Sequence, residues 1–373
     1  MDQDTIFGLQ EVTVDIEDKL RNLAPNSLFS PRHKVCKNGK LNKSTGYQGV
    51  GFSTSLGMSS LEDDEISGIE GLNRVPEDPY SFEMILNNVN KQNNKKEGDH
   101  YRYIQIIKLS IDGVNRIFIN VHYHYNLDVI EQTDTIMKEL VSKLKPDVMM
   151  GDFNSSPAFE GYHDLLANER TFHKDLNNTT NLDHIFIRDD VYEVWNISKP
   201  KELFDLIEIK EDNIDQHIQN IQNEEVRSKL KKLQKEYKTY KSKVENGEKV
   251  SRKKTPKEFI LMERNNEVTD QILSDHKLFI FKVMTNEGSE FCLATLNILA
   301  PHPGTTFFLH STLRNRILDP TRLDELVDVI GRSCNSPFEY DEMIGGADYR
   351  LKYLKYKAKY EDAKRWLVAL KIN

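Results

Sequence analysis

The chain has 373 residues, of which 38% are apolar and 29% charged, and its formal charge is −8. That length can bury one large α/β core with insertions, or two smaller ones, and the net negative charge gives the whole molecule no electrostatic footprint of a nucleic-acid binder, although a local basic segment can still dock a polyanion. Cys36, Cys292 and Cys334 lie far apart with no CxxC spacing, which argues against a disulfide framework, a zinc knuckle or a redox pair.

Residues 1–12 lack a basic, then apolar, leader, and no stretch holds about 18 consecutive apolar residues, so a soluble, non-secreted, cytoplasmic protein without an integral membrane segment is expected. Thr5 to Leu9 reads as a short buried strand that delivers Gln10-Glu11-Val12 at its C-terminal end. Further strands are expected at Gly46 to Ser53, Tyr101 to Leu109 and Ile117 to His122. Tyr80 to Gly98, rich in Asn and Lys, reads as a surface loop. Ile130, Ile136, Met137, Leu140 and Leu144 recur near helical spacing and predict a helix from Asp128 to Leu144, followed by a strand at Val148 to Met150 that runs into Gly151-Asp152-Phe153-Asn154. Asn154-Ser155-Ser156 is a glycosylation sequon, and a glycan so close to a functional loop is tolerable only outside the secretory route.

Glu202 to Lys257 reads as a polar, helical insertion. From Val226 to Lys257 it carries thirteen Lys/Arg against three Asp/Glu, a run that is more often a solvated helical face than a nucleic-acid contact. Leu278 to Val283 and Phe291 to Ile298 predict two strands joined by a turn at Thr285 to Ser289. Thr321 to Ile330 is an amphipathic helix, and Tyr349 to Leu370 repeats Tyr and Lys at helical spacing. Strands alternating with helices indicate an α/β sandwich.

Acidic, amide and imidazole groups collect at the ends of these strands. Such a set suits phosphodiester hydrolysis, which needs a Lewis acid, an activated water and donors to the phosphate. Leu9-Gln10-Glu11-Val12, Asn120-Val121-His122, Gly151-Asp152-Phe153-Asn154-Ser155-Ser156-Pro157, Leu182-Asp183-His184 and Ser274-Asp275-His276 together resemble, in order, the motifs of the endonuclease/exonuclease/phosphatase superfamily of DNase I-like phosphoesterases. The resemblance spans about residues 5–190 and 270–331. It implies a four-layer α/β sandwich, two central mixed β-sheets flanked by helices, and hydrolysis assisted by Mg²⁺, with Mn²⁺ as the alternative.

Carried over, the resemblance makes Glu11 the principal metal ligand, with Asp275 and Asn297 completing the shell. It makes Asp152 the residue that aligns or deprotonates the attacking water, and has Asn154 hold the phosphate or that water. His122 donates to a phosphate oxygen, though Val121 stands where the family has Thr, and Asn120 belongs to the same substrate-binding motif. His276 is the phosphate-binding or acid–base histidine, and Asp183 orients it. His124, His184, His302 and His310 match no motif and read as structural or surface residues.

One departure is informative. The family's first strand, ending in Asn, precedes the glutamate motif, whereas here Phe291 to Asn297 and the helix after it resemble that strand and its helix. The order implies a circular permutation, with residues 1–200 and 258–335 forming one phosphoesterase domain, 201–257 a basic helical insertion, and 336–373 a C-terminal Tyr/Lys-rich helical tail. That tail resembles one found on proteins of giant DNA viruses, which suggests a host cytoplasm or viral factory. A nucleic acid is the expected substrate; a phospholipid head group, a small phosphoester, or an idle scaffold role are the alternatives. Oligomeric state is not legible.

Overall fold

The computed structural model describes residues 4–12, 14–24, 26–31, 33–34, 36–37, 40–41, 47–86, 100–124, 127–173, 179–248, 259–264, 267–269, 273–274, 276–298 and 320–333. Asp275, His302, His310 and the tail at 336–373 lie outside these residues, so the expectations placed on them are not met or missed here.

Two large mixed sheets form the body. The first is built from β1 (Asp4–Val12), β2 (Leu28–Phe29), β3 (Tyr47–Thr54), β11 (Asn196–Ile197), β15 (Phe279–Met284) and β16 (Glu290–Asn297), in the order β11-β15-β16-β1-β3-β2, with the short strands His33–Lys34 and Lys201–Glu202 added at β3 and β15. The second comprises β4 (Leu72–Val75), β5 (Asp78–Leu86), β6 (His100–Ile111), β7 (Val114–His122), β8 (Val148–Asp152), β9 (Tyr162–Asp164) and β10 (Asp183–Arg188), in the order β9-β10-β8-β7-β6-β5-β4, with Met58–Ser59 on β6. Each is mixed: β1 runs parallel to β16 but antiparallel to β3, and β7 runs parallel to β8 but antiparallel to β6.

Alternation along the strands sorts side chains into three apolar layers. Ile6, Phe52, Phe281 and Leu293 from the first sheet meet Ile107, Phe118, Met150 and Ile185 from the second. On the outer face of the first sheet, Phe7, Leu9, Ile280 and Leu296 pack against Ile16 and Leu20 of α1 (Val14–Leu23) and Leu326 and Val329 of α5 (Pro320–Ser333). On the outer face of the second, Ile104, Ile119, Val121 and Met149 pack against Val129, Ile136, Met137 and Leu140 of α2 (Leu127–Leu144). Helix, sheet, sheet, helix is the four-layer order expected from the motifs, and burying each of these large side chains contributes about 1.5–3 kcal/mol.

Two local expectations are corrected. Tyr80 to Leu86 is not loop but part of β5, because Phe82, Met84 and Leu86 alternate into the α2 layer and pair with β6; the Asn/Lys bias begins only after Leu86. The insertion is not wholly helical either. Around α3 (Ile214–Asn220) and α4 (Glu224–Glu245), the strands β12 (Asp205–Ile209), β13 (Phe259–Arg264) and β14 (Glu267–Thr269) form a small antiparallel sheet. Ile209, Ile214, Val226, Leu230 and Leu261 close a separate core beneath it, so the unit extends past Lys257 to Thr269.

The expected hairpin is present. Phe281 pairs with Leu293 and Val283 with Phe291, antiparallel, and the turn closes through Thr285 N–H to Ser289 O at 2.9 Å. β16 then lies between β15 and β1, in register so that Asn297 stands beside Gln10.

Candidate active site

Strand register brings the site together. His122 pairs with Asp152 across the parallel β7–β8 ladder, and Asp152 pairs with Asp183 across the antiparallel β8–β10 ladder, so three chemically active side chains end three adjacent strands of one sheet. Asn297 and Glu11 end β16 and β1 of the facing sheet. The carboxyl ends of strands in α/β sheets are where such crevices form.

Glu11 reaches the cleft because its strand breaks alternation. Leu9 and Val12, three residues apart, both enter the helix-side core, so one extra residue must be accommodated between them, and the β1–β3 register shifts there. Glu11 takes it up in a left-handed conformation, φ 55°. A bulge of this kind re-aims a side chain: the carboxylate turns inward, with Oε1 4.0 Å from His122 Nε2. Asn154 is the second left-handed residue of the site, φ 46°. Its N–H donates to Asp152 Oδ1 at 2.9 Å and its Nδ2 to Tyr123 O at 3.0 Å, which closes the loop after β8. Gly151 permits that loop, since at its φ of 143° a Cβ would lie 2.0 Å from the Val121 carbonyl oxygen.

His276 Nδ1 lies 2.7 Å from Asp183 Oδ2, both groups buried. A carboxylate there accepts a hydrogen bond from Nδ1–H and leaves Nε2 toward the cleft, 3.9 Å from Asp152 Oδ2. The opposite oxygen, Asp183 Oδ1, is buried without a hydrogen-bond partner. Asn297 Nδ2 donates to Asp152 Oδ2 at 2.9 Å. Burial pushes the Asp152 carboxyl up to about 7; His276 and the donors Asn154 and Asn297 oppose that rise, and Asp183 adds to it. Burial, followed by the charges of Arg102, His276 and His124, holds His122 well below the usual imidazole range, so it is neutral near pH 7.

The structure therefore brings together Glu11, His122, Asp152, Asn154, Asp183, His276 and Asn297. Asn120 is placed differently from the expected substrate contact. Its Nδ2 donates to Leu9 O at 3.0 Å and Gly51 O at 2.8 Å, and its Oδ1 accepts from Gln10 Nε2 at 2.7 Å. Every strong hydrogen-bonding position of that buried amide is occupied by the facing sheet, so Asn120 is a clamp that positions β1 and hence Glu11. The sheets approach closely at this point: a Cβ on Gly8 would meet Met150 Sδ at 2.5 Å.

Several supporting residues escaped the sequence reading. Gln10 also donates to Thr295 Oγ1 at 3.2 Å, and its carbonyl accepts from Ile298 N at 3.0 Å. Arg322, fully buried on α5, donates to Leu273 O and Ile298 O at 2.7 and 2.9 Å, tying the segment before His276 to the end of β16. Its signal was an arginine four residues before Leu326 on the apolar face of an amphipathic helix. Thr171 Oγ1 accepts from the N–H groups of Leu182 and Asp183, and Ser274 Oγ donates to Asn297 O. His184 is structural, as expected: its ring nitrogens lie 2.7 Å from Asp164 Oδ2 and 2.9 Å from Ser155 O, pinning the Asn154 loop from behind.

Among the described residues, the ligand atoms of Asp152, Asp183 and His276 come within 4.8 Å of one another, a grouping able to hold a cation. Two observations fit a divalent ion here. Burial raises the Asp152 carboxyl, and Asp183 Oδ1 is buried with no hydrogen-bond partner. No helix among the described residues is long and apolar enough to cross a membrane.

No family model and no curated protein matches the chain. It is similar to solved structures of a humanized TDP2 from D. rerio (16% identity over 55% of this chain and 77% of that one, TM-score 0.31) and of the human Nocturnin catalytic domain with bound sulfate (14%, 52% and 71%, TM-score 0.33). A third is an endonuclease/exonuclease/phosphatase family protein from Bacteroides thetaiotaomicron (14% identity over 56% of this chain and 76% of that one, TM-score 0.33). The chain's own strands form the two-sheet sandwich that the motifs led us to expect.

Proposed function

We propose that this chain is a circularly permuted member of the endonuclease/exonuclease/phosphatase superfamily that hydrolyses phosphodiester bonds of nucleic acid with a divalent cation, Mg²⁺ or Mn²⁺. The observation that carries the reading is the convergence of the Asp183–His276 pair, at 2.7 Å, with Asp152, Asn297, His122 and Glu11 from both sheets.

Glu11 and Asn297, with Asp275, would hold the cation, and Asp152 borders it. When bound, the cation neutralises charge on the phosphate oxygens and lowers the pKa of water. Asp152, whose carboxylate lies in the cleft beside His276 and Asn297, is placed to take a proton from the attacking water. Neutral His122 can donate a hydrogen bond to a phosphate oxygen without carrying charge. His276, oriented through Nδ1–H by Asp183, would in its imidazolium form donate the Nε2 proton to the departing ester oxygen. The water oxygen forms a bond to phosphorus as the ester oxygen leaves, and Asn154 holds the loop against which the phosphate rests.

The chain order supports the permutation. β16 and α5 occupy the places of a first strand and first helix beside β1, although they follow every other described element in the chain. A rethreaded chain with residues 290–333 placed ahead of residue 4 should fold and act alike.

A substrate panel tests the whole reading: a 20-nucleotide single strand, bis(p-nitrophenyl) phosphate and a short-chain phospholipid, each with Mg²⁺, Mn²⁺ or EDTA. Metal-dependent cleavage of the oligonucleotide is expected. Cleavage of the lipid alone would overturn the substrate class, and inactivity on all three would indicate a scaffold.

A further inference from the structure

Among the described residues, helix α4 carries both paired and unpaired cations. Arg227 pairs with Glu224, Lys229 with Glu225 and Lys241 with Glu211. Lys231, Lys235 and Lys238 are exposed and make no ion pair among the described residues. These three recur at i, i+4 and i+7 and so share one face. Ser228 and Ser242, both exposed, lie on the same stripe. The opposite face is committed to the insertion's own core through Val226, Leu230 and Leu233.

A helix stabilised by its own surface charges would place Glu four residues before each Lys. Here Arg227 precedes Lys231, and Lys231 precedes Lys235, so like charges stand at i, i+4 spacing, which weakens a free helix. A polyanion laid along the stripe would relieve that repulsion. The carrier of the stripe is rooted beside the site: Lys277, the residue after His276, binds Glu202 at 2.6 Å and Asp205 at 2.7 Å, at the start of β12.

Resting on the nucleic-acid reading of the cleft, we infer that the Lys231–Lys235–Lys238 face of α4 is a second contact for the substrate, a track that holds the phosphodiester backbone of a strand outside the cleft. At a helical rise of about 1.5 Å per residue the stripe spans about 10 Å. That length lets the three lysines meet about two or three successive phosphates of one strand. In a chain of net charge −8, such a stripe gives direction to an otherwise repelled ligand.

The test uses the full chain with Lys231→Glu, Lys235→Glu and Lys238→Glu combined, and a second variant with Gln at the same positions. Binding of a 20-nucleotide single strand is measured in EDTA against salt, and hydrolysis of bis(p-nitrophenyl) phosphate separately. The track predicts at least tenfold weaker binding for the Glu variant and a salt-dependence slope lower by about 2 in the Gln variant, from about 0.7 per released contact, with hydrolysis of the small diester unchanged. An unchanged slope in a well-folded Gln variant overturns the track, as does a wild-type chain that binds anionic vesicles but no oligonucleotide. Absence of hydrolysis with an altered slope would sink the catalytic reading and leave the track standing.

Discussion

The space between the two sheets has two ends made from the same strands. At one end Ile6, Phe52, Phe118, Met150, Phe281 and Leu293 interdigitate without polar atoms. At the other, Gln10, Asn120, His122, Asp152, Asp183, His276 and Asn297 are buried to a similar degree. The first end gains free energy from every side chain it removes from water. The second loses some, since buried carboxylates and imidazoles are costly unless each is matched by a partner. A fold does not acquire such an end for stability, and its hydrogen bonds are arranged to aim Glu11, Asp152 and His276 at one point.

The contrast can be broken most severely at the histidine. Asp183→Asn keeps the shape but removes the carboxylate that fixes the His276 tautomer, so kcat should fall by about 10²–10⁴ while KM and the melting temperature move little. A change confined to stability would refute the pairing's role. At the apolar end, Phe118→Ala should do the reverse: about 3–5 kcal/mol lost in urea unfolding, with kcat per folded molecule near that of the wild type.

Asn120→Ala falls between these. It removes the Asn120 contacts to Gln10 Nε2 and to the carbonyls of Leu9 and Gly51, so about 2–4 kcal/mol of stability should go, together with a drop in Mg²⁺ affinity measured by calorimetry as Glu11 loses its footing. Intact Mg²⁺ affinity would return Asn120 to a purely structural role.

The smallest effect is a pH dependence. The folded Asp152 carboxyl titrates near 7, above an ordinary value of 3.8. Folding therefore takes up a proton between those values, and stability falls as pH rises from about 4 to about 7. Asp152→Asn removes that dependence. In EDTA, the variant should gain on the wild type by on the order of 2 kcal/mol between pH 5 and pH 8. A difference that stays constant with pH would contradict the raised carboxyl.

Much of this was legible because strand-end chemistry survives in sequence. Glu11, Asp152 and Asn297 each close a run of apolar residues, Asp183 and His276 each stand just ahead of one, and the family resemblance set their roles. What the sequence hid were consequences of long-range register. Asn120 sits in a motif beside His122, yet alternation sends the two amide groups of Gln10 and Asn120 toward each other across the sheets, a contact between residues 110 positions apart. Arg322 acts on backbone carbonyls 24 and 49 positions away. β5 is masked by the Asn/Lys-rich composition of 80–98, although its apolar alternation runs to Leu86. The strands of the insertion were obscured by the lysine-rich helix between them.

Whether a divalent cation held at Glu11 drives phosphodiester hydrolysis in this cleft is decided by Glu11→Gln, which removes the charge and keeps the shape. With bis(p-nitrophenyl) phosphate and Mg²⁺ titrated from zero, the wild type should be silent in EDTA and recover with metal. Glu11→Gln, melting at the same temperature, should lose at least about a hundredfold in rate, as expected when a preorganised electrostatic contribution is withdrawn. Full Mg²⁺-dependent activity in that variant would rule out a cation held at Glu11.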